Sequence, residues 1–312
     1  MGRKIIIDTD PGQDDAVAIL LALASPELYI LGIVALAGNV PLHHTRDNAR
    51  RILALAGRTE IPVFAGAVRP LVRPLVTAEH VHGKTGLDGA TLPEPVTSLQ
   101  PQHGVDFIVE TLLAAEPGEI TLCTLGPLTD VALALIRAPE IAPRIREIVM
   151  MGGAYFEVGN ITPAAEFNIY VDPEAADVVM RSGVPITMLP LDVTHRALAT
   201  PERIARLRGL GNRAGTVVAD LLNFSERFDN VKYGSDGAPL HDPNVVAWLL
   251  KPELFRGRHV NVTIETASPL TLGMTVVDYW RVTERPANVT FLRHIDDEGF
   301  YDLLCERLAR LP

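Results

Sequence analysis

The sequence predicts an α/β protein: a single doubly wound, mostly parallel sheet flanked by helices, with a small C-terminal β addition. Three observations predict it. Ile5-Ile6-Ile7 is an apolar run of the kind that a parallel strand buried on both faces requires. Strand and helix patterns alternate over the first 190 residues, which is the grammar of βαβ units. That grammar also recurs. The first strand breaks at Pro11-Gly12 before a helical run over Ala16–Ala24, and a strand over Glu119–Leu125 breaks at Gly126-Pro127 before a helix over Val131–Arg137. No internal repeat, low-complexity tract or linker interrupts the chain, so residues 1–312 are read as one domain.

The remaining elements follow in order. A second strand spans Leu28–Ala37 and ends at Gly38-Asn39, and a helix over Thr45–Ala56 turns Arg46, Arg50 and Arg51 outward. Ile61–Phe64 is a short strand closed by Gly66. Ala67–Pro101 loses periodicity and collects Pro and Gly around His82-Gly83-Lys84-Thr85-Gly86, a long loop of the sort that walls a site. After a helix over Val105–Ala115 and the repeated unit, Ile145–Met151 is a buried strand stopped by Gly152-Gly153. An irregular segment, Ala154–Asp172, carries Asn160, Glu166, Phe167 and Asn168. Pro173 opens a helix, Pro185–Leu191 is a strand, and Thr200–Arg208 and Ala214–Phe228 are helices. Phe228–Pro239 reads as a polar, mobile loop, and a helix follows from His241-Asp242-Pro243 to Leu250. Three short β-branched runs between His259 and Ile295 supply the β addition before a closing helix over Asp297–Leu311.

Composition narrows the function. A chain of 312 residues with 47% hydrophobic content can bury a large core. Its formal charge of -10 argues against a nucleic-acid or anionic-membrane surface, which needs clustered Lys and Arg, and favours a small or neutral ligand. No apolar run approaches the roughly 20 residues of a membrane-spanning helix, and no secretory signal opens the chain. Cys123 and Cys305 form no CxxC pair, as expected of buried thiols in a reduced cytoplasmic protein.

The chemistry gathers at strand ends. Asp8, Asp10, Asp14 and Asp15 place four carboxylates within eight residues at the C-terminal edge of the sheet. One or two acids serve as helix caps, but four repel one another unless a cation sits among them. Oxygen-only ligands favour Ca²⁺ or Mg²⁺ over zinc. Asn39, Asn160, Glu166, Asn168 and Asp242 collect at other element ends, a set suited to a hydroxyl-rich neutral ligand such as a sugar. Taken singly, Asn160 and Asn168 read equally as turn residues and Met151 as core. Neither GxxxxGK[ST], a strand-terminal GxGxxG nor GxSxG occurs, so the motifs leave metal-assisted hydrolysis, with a carboxylate able to hold the ion and take a proton.

Asp8-Thr9-Asp10-Pro11-Gly12-Gln13-Asp14-Asp15-Ala16 resembles the N-terminal signature of the inosine-uridine preferring nucleoside hydrolases. Further similar segments follow in the family's order: Gly38-Asn39, His82-Gly83 with Gly86-Leu87, Leu125–Thr129, Met150–Gly153, Ala165–Ile169 and His241-Asp242-Pro243. The resemblance covers nearly the whole chain. It implies a Rossmann-like nucleoside hydrolase fold and Ca²⁺-dependent hydrolysis of the N-glycosidic bond of ribonucleosides. Asp10, Asp15, Asp242 and the Leu125 carbonyl match the ligands of one Ca²⁺, with Asp8 in support. Asp14, Asn39, Asn160, Glu166 and Asn168 match ribose-hydroxyl ligands, and Met151 and Phe167 flank the sugar. Asp10 is the implied general base, activating a metal-bound water that attacks C1'. His241 and His82 occupy the positions that meet the nucleobase, and Tyr233 is a candidate lid aromatic.

Within the resemblance, Gly237–Leu240 and Ala247–Leu254 look more like the pyrimidine-preferring bacterial members, so uridine and cytidine are the expected substrates over purine nucleosides. Family members are usually homodimers or homotetramers. Two other readings compete: a phosphohydrolase of the haloacid dehalogenase type, and a catalytically silent sugar- or Ca²⁺-binding protein. The first expects a DxDx[TV]-like turn and a downstream lysine, whereas Pro11-Gly12 follows Asp10 and the four lysines, at 4, 84, 232 and 251, follow no suitable strand. The second expects Asp10 to be lost, and it is present.

Overall fold

The computed structural model describes residues 2–234 and 236–312, and for residues 226–233 the backbone alone. Strands β1 (Arg3–Thr9), β2 (Leu28–Ala35), β3 (Val63–Ala65), β4 (Ile120–Thr124), β5 (Ile145–Met151) and β6 (Ile186–Leu189) pair in parallel in the order β6-β5-β4-β1-β2-β3. A two-residue antiparallel pair, β7 (Leu198–Ala199) with β8 (Ala238–Pro239), stands apart from them. Strands β9 (Phe255–Ile264), β10 (Thr275–Asp278) and β11 (Val289–Ile295) then continue the main sheet. β11 lies parallel to β6 and antiparallel to β9, which carries β10 at the edge. The C-terminal β addition is therefore an extension of the main sheet, nine strands among the described residues.

The strand pattern dictates the two layers. Ile5 and Ile7 pack into one cluster with α1 (Gln13–Leu23) and α2 (Leu42–Ala56), while Ile6 packs into the opposite cluster. The short helix α3 (Glu79–His82) lies outside both clusters, and α4 (Gly104–Ala114) and α5 (Thr129–Arg137) build the layer of Ile6. Successive strand side chains point to opposite faces, so only a β1 apolar throughout can serve both layers. Burying each of these isoleucines, at most 1% exposed, contributes roughly 1.5–3 kcal/mol.

After β5 the chain forms α6 (Phe167–Val171), α7 (Pro173–Met180) and α8 (Leu191–Thr194), then α9 (Pro201–Arg208), α10 (Arg213–Tyr233), α11 (Pro243–Leu250) and α12 (Asp297–Leu308). Three expectations are corrected here. The aperiodic stretch Ala67–Pro101 contains α3, and the irregular stretch Ala154–Asp172 contains α6, whose first turn Glu166 caps by accepting the N–H groups of Asn168 and Ile169. The expected loop Phe228–Pro239 is helical as far as Tyr233. No Gly or Pro interrupts residues 216–233, and Gly234, at φ +60, is the first residue free to turn left-handed and end the helix.

Candidate active site

The strand order places the site. β1, β2 and β3 run toward one edge of the sheet and β4, β5 and β6 toward the other, so the order reverses between β1 and β4. Open α/β sheets bind ligands outside the carboxyl ends of their strands at such a reversal. A cleft opens there, lined by Asp14, Asn39, His82, Leu125, Met151, Asn160, Glu166, Phe167, Asn168, His241 and Asp242. Asp10 and Asp15 are completely buried against it, and Asp8 is 1% exposed. The side chain of Tyr233, the expected lid aromatic, lies outside the described residues.

Three carboxylates converge at the cleft floor. Asp14, Asp15 and Asp242 each bring an oxygen within 4.8 Å of the other two. Asp14, expected at the ribose, thus lies beside two of the acids expected to hold an ion. Asp10 lies alongside but is not one of this trio. Its Oδ2 accepts the Asn39 backbone N–H at 2.7 Å, while its Oδ1 is buried without a hydrogen-bond partner. Two glycines make that placement possible: a Cβ at Gly38 would fall 2.0 Å from Asp10 Oδ2, and one at Gly126 would fall 2.4 Å from Oδ1. Asp15 is fixed by the Thr9 hydroxyl, by the Gly12 N–H at 2.9 Å and by the Asn39 amide at 3.2 Å.

Burial, and then the charges of Asp15 and Asp14, push the Asp10 carboxyl well above its ordinary value. Asp242 is raised well above its own, first by burial and then by Asp14, Asp15 and Asp10. Asp15 rises for the same reasons, burial first and then Asp14. An all-oxygen donor set with one orphaned buried oxygen and mutually repelling acids fits a hard divalent cation.

Asp8, expected to support the ion, is buried next to these acids and is not itself a lining residue of the cleft. Its carboxyl faces Asp130 across the turn after β4, where no N–H reaches either Asp8 oxygen. Burial raises Asp8 well above its ordinary value, with the Asp130 charge next, and burial pushes Asp130 up to about 7. Two buried carboxyls this close resist ionising together, which favours a proton shared between them.

The opposite wall is built by β5 and α6. Glu166 accepts N–H groups from Gly153 at 2.9 Å, Asn168 at 2.9 Å and Ile169 at 3.3 Å, yet burial still raises it to about 7. The Asn168 amide donates to the Leu125 carbonyl at 2.7 Å and the Met151 carbonyl at 3.3 Å, so it ties β4 to β5. Asn160 Oδ1 accepts the Phe167 N–H at 2.8 Å and sets the half-buried Phe167 ring at the rim.

The two histidines are held differently. The Gln13 amide donates to the carbonyls of His82 at 3.0 Å and Asp88 at 3.2 Å, which turns its Oε1 toward His82 Nδ1 at 2.5 Å. The proton of neutral His82 therefore sits on Nδ1, and burial keeps the ring below its ordinary pKa. His241 Nδ1 meets the Thr194 hydroxyl at 2.8 Å, and the tautomer in which that hydroxyl donates to Nδ1 carries the ring proton on Nε2.

Gln13 and Thr194 were not singled out by the sequence. Gln13 lay within the acidic signature, but its reach to residue 82 is not written in local spacing. Other lining residues without a motif signal are His80, Val81, Ile161, Leu222 and Ser225.

Fold and site together define a hydrolase acting on an N-glycosidic bond: the chain belongs to the inosine-uridine preferring nucleoside hydrolase family, whose description it matches over residues 5–302. It is 59% identical to an uncharacterized protein of Schizosaccharomyces pombe, over 99% of this chain and 100% of that one. It is 53% identical to the pyrimidine-specific ribonucleoside hydrolase RihA of Photobacterium profundum, over 99% of each. Its structure superposes on the purine-preferring ribonucleoside hydrolase from Gardnerella vaginalis with a TM-score of 0.92 at 32% identity, covering 98% of both chains.

Proposed function

We propose that this nucleoside hydrolase cleaves ribonucleosides to ribose and free base in a Ca²⁺-dependent reaction, with uridine and cytidine preferred over purine nucleosides. The observation that carries the reading is the convergence of Asp14, Asp15 and Asp242 beside the orphaned Asp10 Oδ1, in a cleft whose other wall is Glu166 and Asn168. Asp10, Asp15, Asp242 and the Leu125 carbonyl would hold the ion. When bound, Ca²⁺ lowers the pKa of a water and anchors sugar hydroxyls. Asp10 takes the proton from the attacking water, whose oxygen bonds to C1' as the C1'–N bond breaks and its electron pair leaves with the base. Asp14, Asn39, Asn160, Glu166 and Asn168 grip the ribose hydroxyls, and Met151 and Phe167 flank the ring. The negative charges of Asp14 and Glu166 favour the positive charge that develops on the sugar.

His241 donates through Nε2–H to the departing base, while Nε2 of neutral His82 is an acceptor that reads an N–H of that base. His241→Ala is then expected to slow nucleosides with poor leaving groups by roughly 10²-fold or more and a nitrophenyl riboside far less, whereas His82→Ala should mainly raise KM. Equal losses on both substrates for His241→Ala would remove it as the acid.

Relatives named pyrimidine-specific at half or more identity support the base preference, against a purine-preferring protein at 32%. Steady-state kcat/KM for uridine, cytidine, inosine and adenosine tests it, with higher values expected for the first two. Phosphate release from phosphate esters without ribose release would favour the phosphohydrolase reading, and sugar binding without turnover the silent one. We place the enzyme in the cytoplasm as a homodimer or homotetramer; among the described residues no helix is long and apolar enough to cross a membrane.

A further inference from the structure

We propose that Gln13 is a positioning residue that holds the proton of His82 on Nδ1, so that Nε2 meets the base as a hydrogen-bond acceptor and the site selects nucleobases that present an N–H there. This rests on the cleft being a nucleoside site, and it names what the base end of that site reads.

Gln13 is the first residue of α1 and is 1% exposed. An amide buried so completely needs partners for both its oxygen and its nitrogen. Local structure supplies them. His82 is the last residue of α3, and the closing carbonyls of a helix have no partner within it. The Gln13 nitrogen donates to the His82 carbonyl at 3.0 Å and to the Asp88 carbonyl at 3.2 Å. Carbonyls only accept, so the end of the side chain that faces these two is the NH2, and Oε1 is the end left facing His82 Nδ1 at 2.5 Å. An amide oxygen carries no hydrogen, which makes Nδ1 the donor. The neutral ring then has its lone pair on Nε2, the nitrogen left for a ligand in the cleft that His82 lines. Gly12 permits the approach: a Cβ there would fall 2.5 Å from His82 Nδ1.

A second buried amide joins the same two segments without touching the ring. Asn48, 4% exposed, donates to the Pro11 carbonyl at 3.0 Å and to the Thr85 carbonyl at 2.7 Å. Asp88 closes the loop on itself by accepting the Lys84 N–H at 3.0 Å and the Thr85 hydroxyl at 2.5 Å. Residues 82–88 are therefore strutted twice onto the turn that begins α1. Only the Gln13 strut reaches the imidazole, so anchoring the loop and setting the tautomer are separable.

The tautomer decides which base edge fits. An Nε2 acceptor is satisfied by the N3–H of uracil or by the amino N–H of cytosine. A methyl group on N3 of uridine removes the donor and leaves that acceptor unpaired, and a site built around one hydrogen bond rejects an analogue lacking it far more strongly than a site that reads shape. With the proton on Nε2 instead, the ring would seek a base carbonyl and would tolerate the methyl group better.

Steady-state kinetics on uridine and 3-methyluridine, with ¹⁵N NMR of His82 at a pH where the ring is neutral, tests the assignment on the full chain. Wild type is expected to show a protonated Nδ1 and to favour uridine in kcat/KM by roughly 10²-fold or more. Gln13→Met keeps the length of the side chain and removes both its donor and its acceptor; it should release the tautomer and cut that ratio by about 10-fold or more. Gln13→Glu keeps an oxygen for Nδ1–H but loses the donors to the loop, so it should raise KM while retaining the Nδ1 proton. Asn48→Ala loosens the same loop and should raise KM for both substrates alike, with the ratio unchanged. Circular dichroism checks that each variant is folded, and should Gln13→Met fail that check, the wild-type spectrum and the Gln13→Glu variant still decide. A wild-type His82 protonated on Nε2 overturns the proposal, as does a ratio that Gln13→Met leaves intact or that Asn48→Ala lowers equally. Hydrolysis of both nucleosides without discrimination sinks this inference and leaves the proposed function standing. If neither is hydrolysed, the proposed function fails, and the NMR spectrum still decides whether Gln13 sets the His82 proton.

Discussion

Asp10→Asn is expected to lower kcat on uridine by roughly 10²–10⁴-fold, the span of a lost general base. Asparagine matches aspartate in size, which matters because Gly38 and Gly126 leave no slack around this side chain. It also keeps an oxygen that can face an ion, but an amide cannot accept a proton from water. Metal content measured on the same preparation separates the two roles. Loss of turnover with the ion retained assigns Asp10 as the base, and loss of both assigns it as ligand first. A metal-replete variant turning over at the wild-type rate would sink the assignment.

Chelation should have the next largest effect. Stripping divalent ions is expected to abolish ribose release and to lower Tm by roughly 5 °C or more, with Ca²⁺ restoring both. The loss should grow with pH, as the direction of the shifts requires. Glu166 and Asp130 are raised by burial to about 7 from ordinary values of 4.5 and 3.8. Between those limits the folded state binds more protons than the unfolded chain, so their stabilising share is full below about pH 4 and is lost as pH rises through 7. Asp10, Asp15 and Asp242, raised by burial and by one another, add to this slope only in the stripped protein, because a bound cation lets them ionise. Calorimetry from pH 5 to 8 with Ca²⁺ or chelator reads the difference. Parallel Tm profiles in the two conditions would mean that these acids hold no ion.

Much of the fold was legible because it rests on local rules. An all-apolar β1, the breaks at Pro11-Gly12 and Gly126-Pro127, and strand-helix alternation each state their consequence within a dozen residues. The expected loop after Phe228 failed for the opposite reason. Polar residues suggested a loop, yet helices end where the backbone must turn, and Gly234 comes later than the polarity change. The small C-terminal β addition was legible from its alternation, but nothing in that alternation says that β11 lies beside β6.

By itself, then, the sequence determined the parallel α/β architecture, the family, and which acids and amides stand at strand ends, since all of these follow from short-range pattern and from motifs kept in order. Only the tertiary structure decided which of those groups meet. It set Asp14 with Asp15 and Asp242, turned Asp8 to Asp130, and gave His82 to Gln13 and His241 to Thr194. Those pairings join segments 47 to more than 200 residues apart, and contact between distant segments depends on strand order and on side-chain direction across the sheet, which no local spacing encodes.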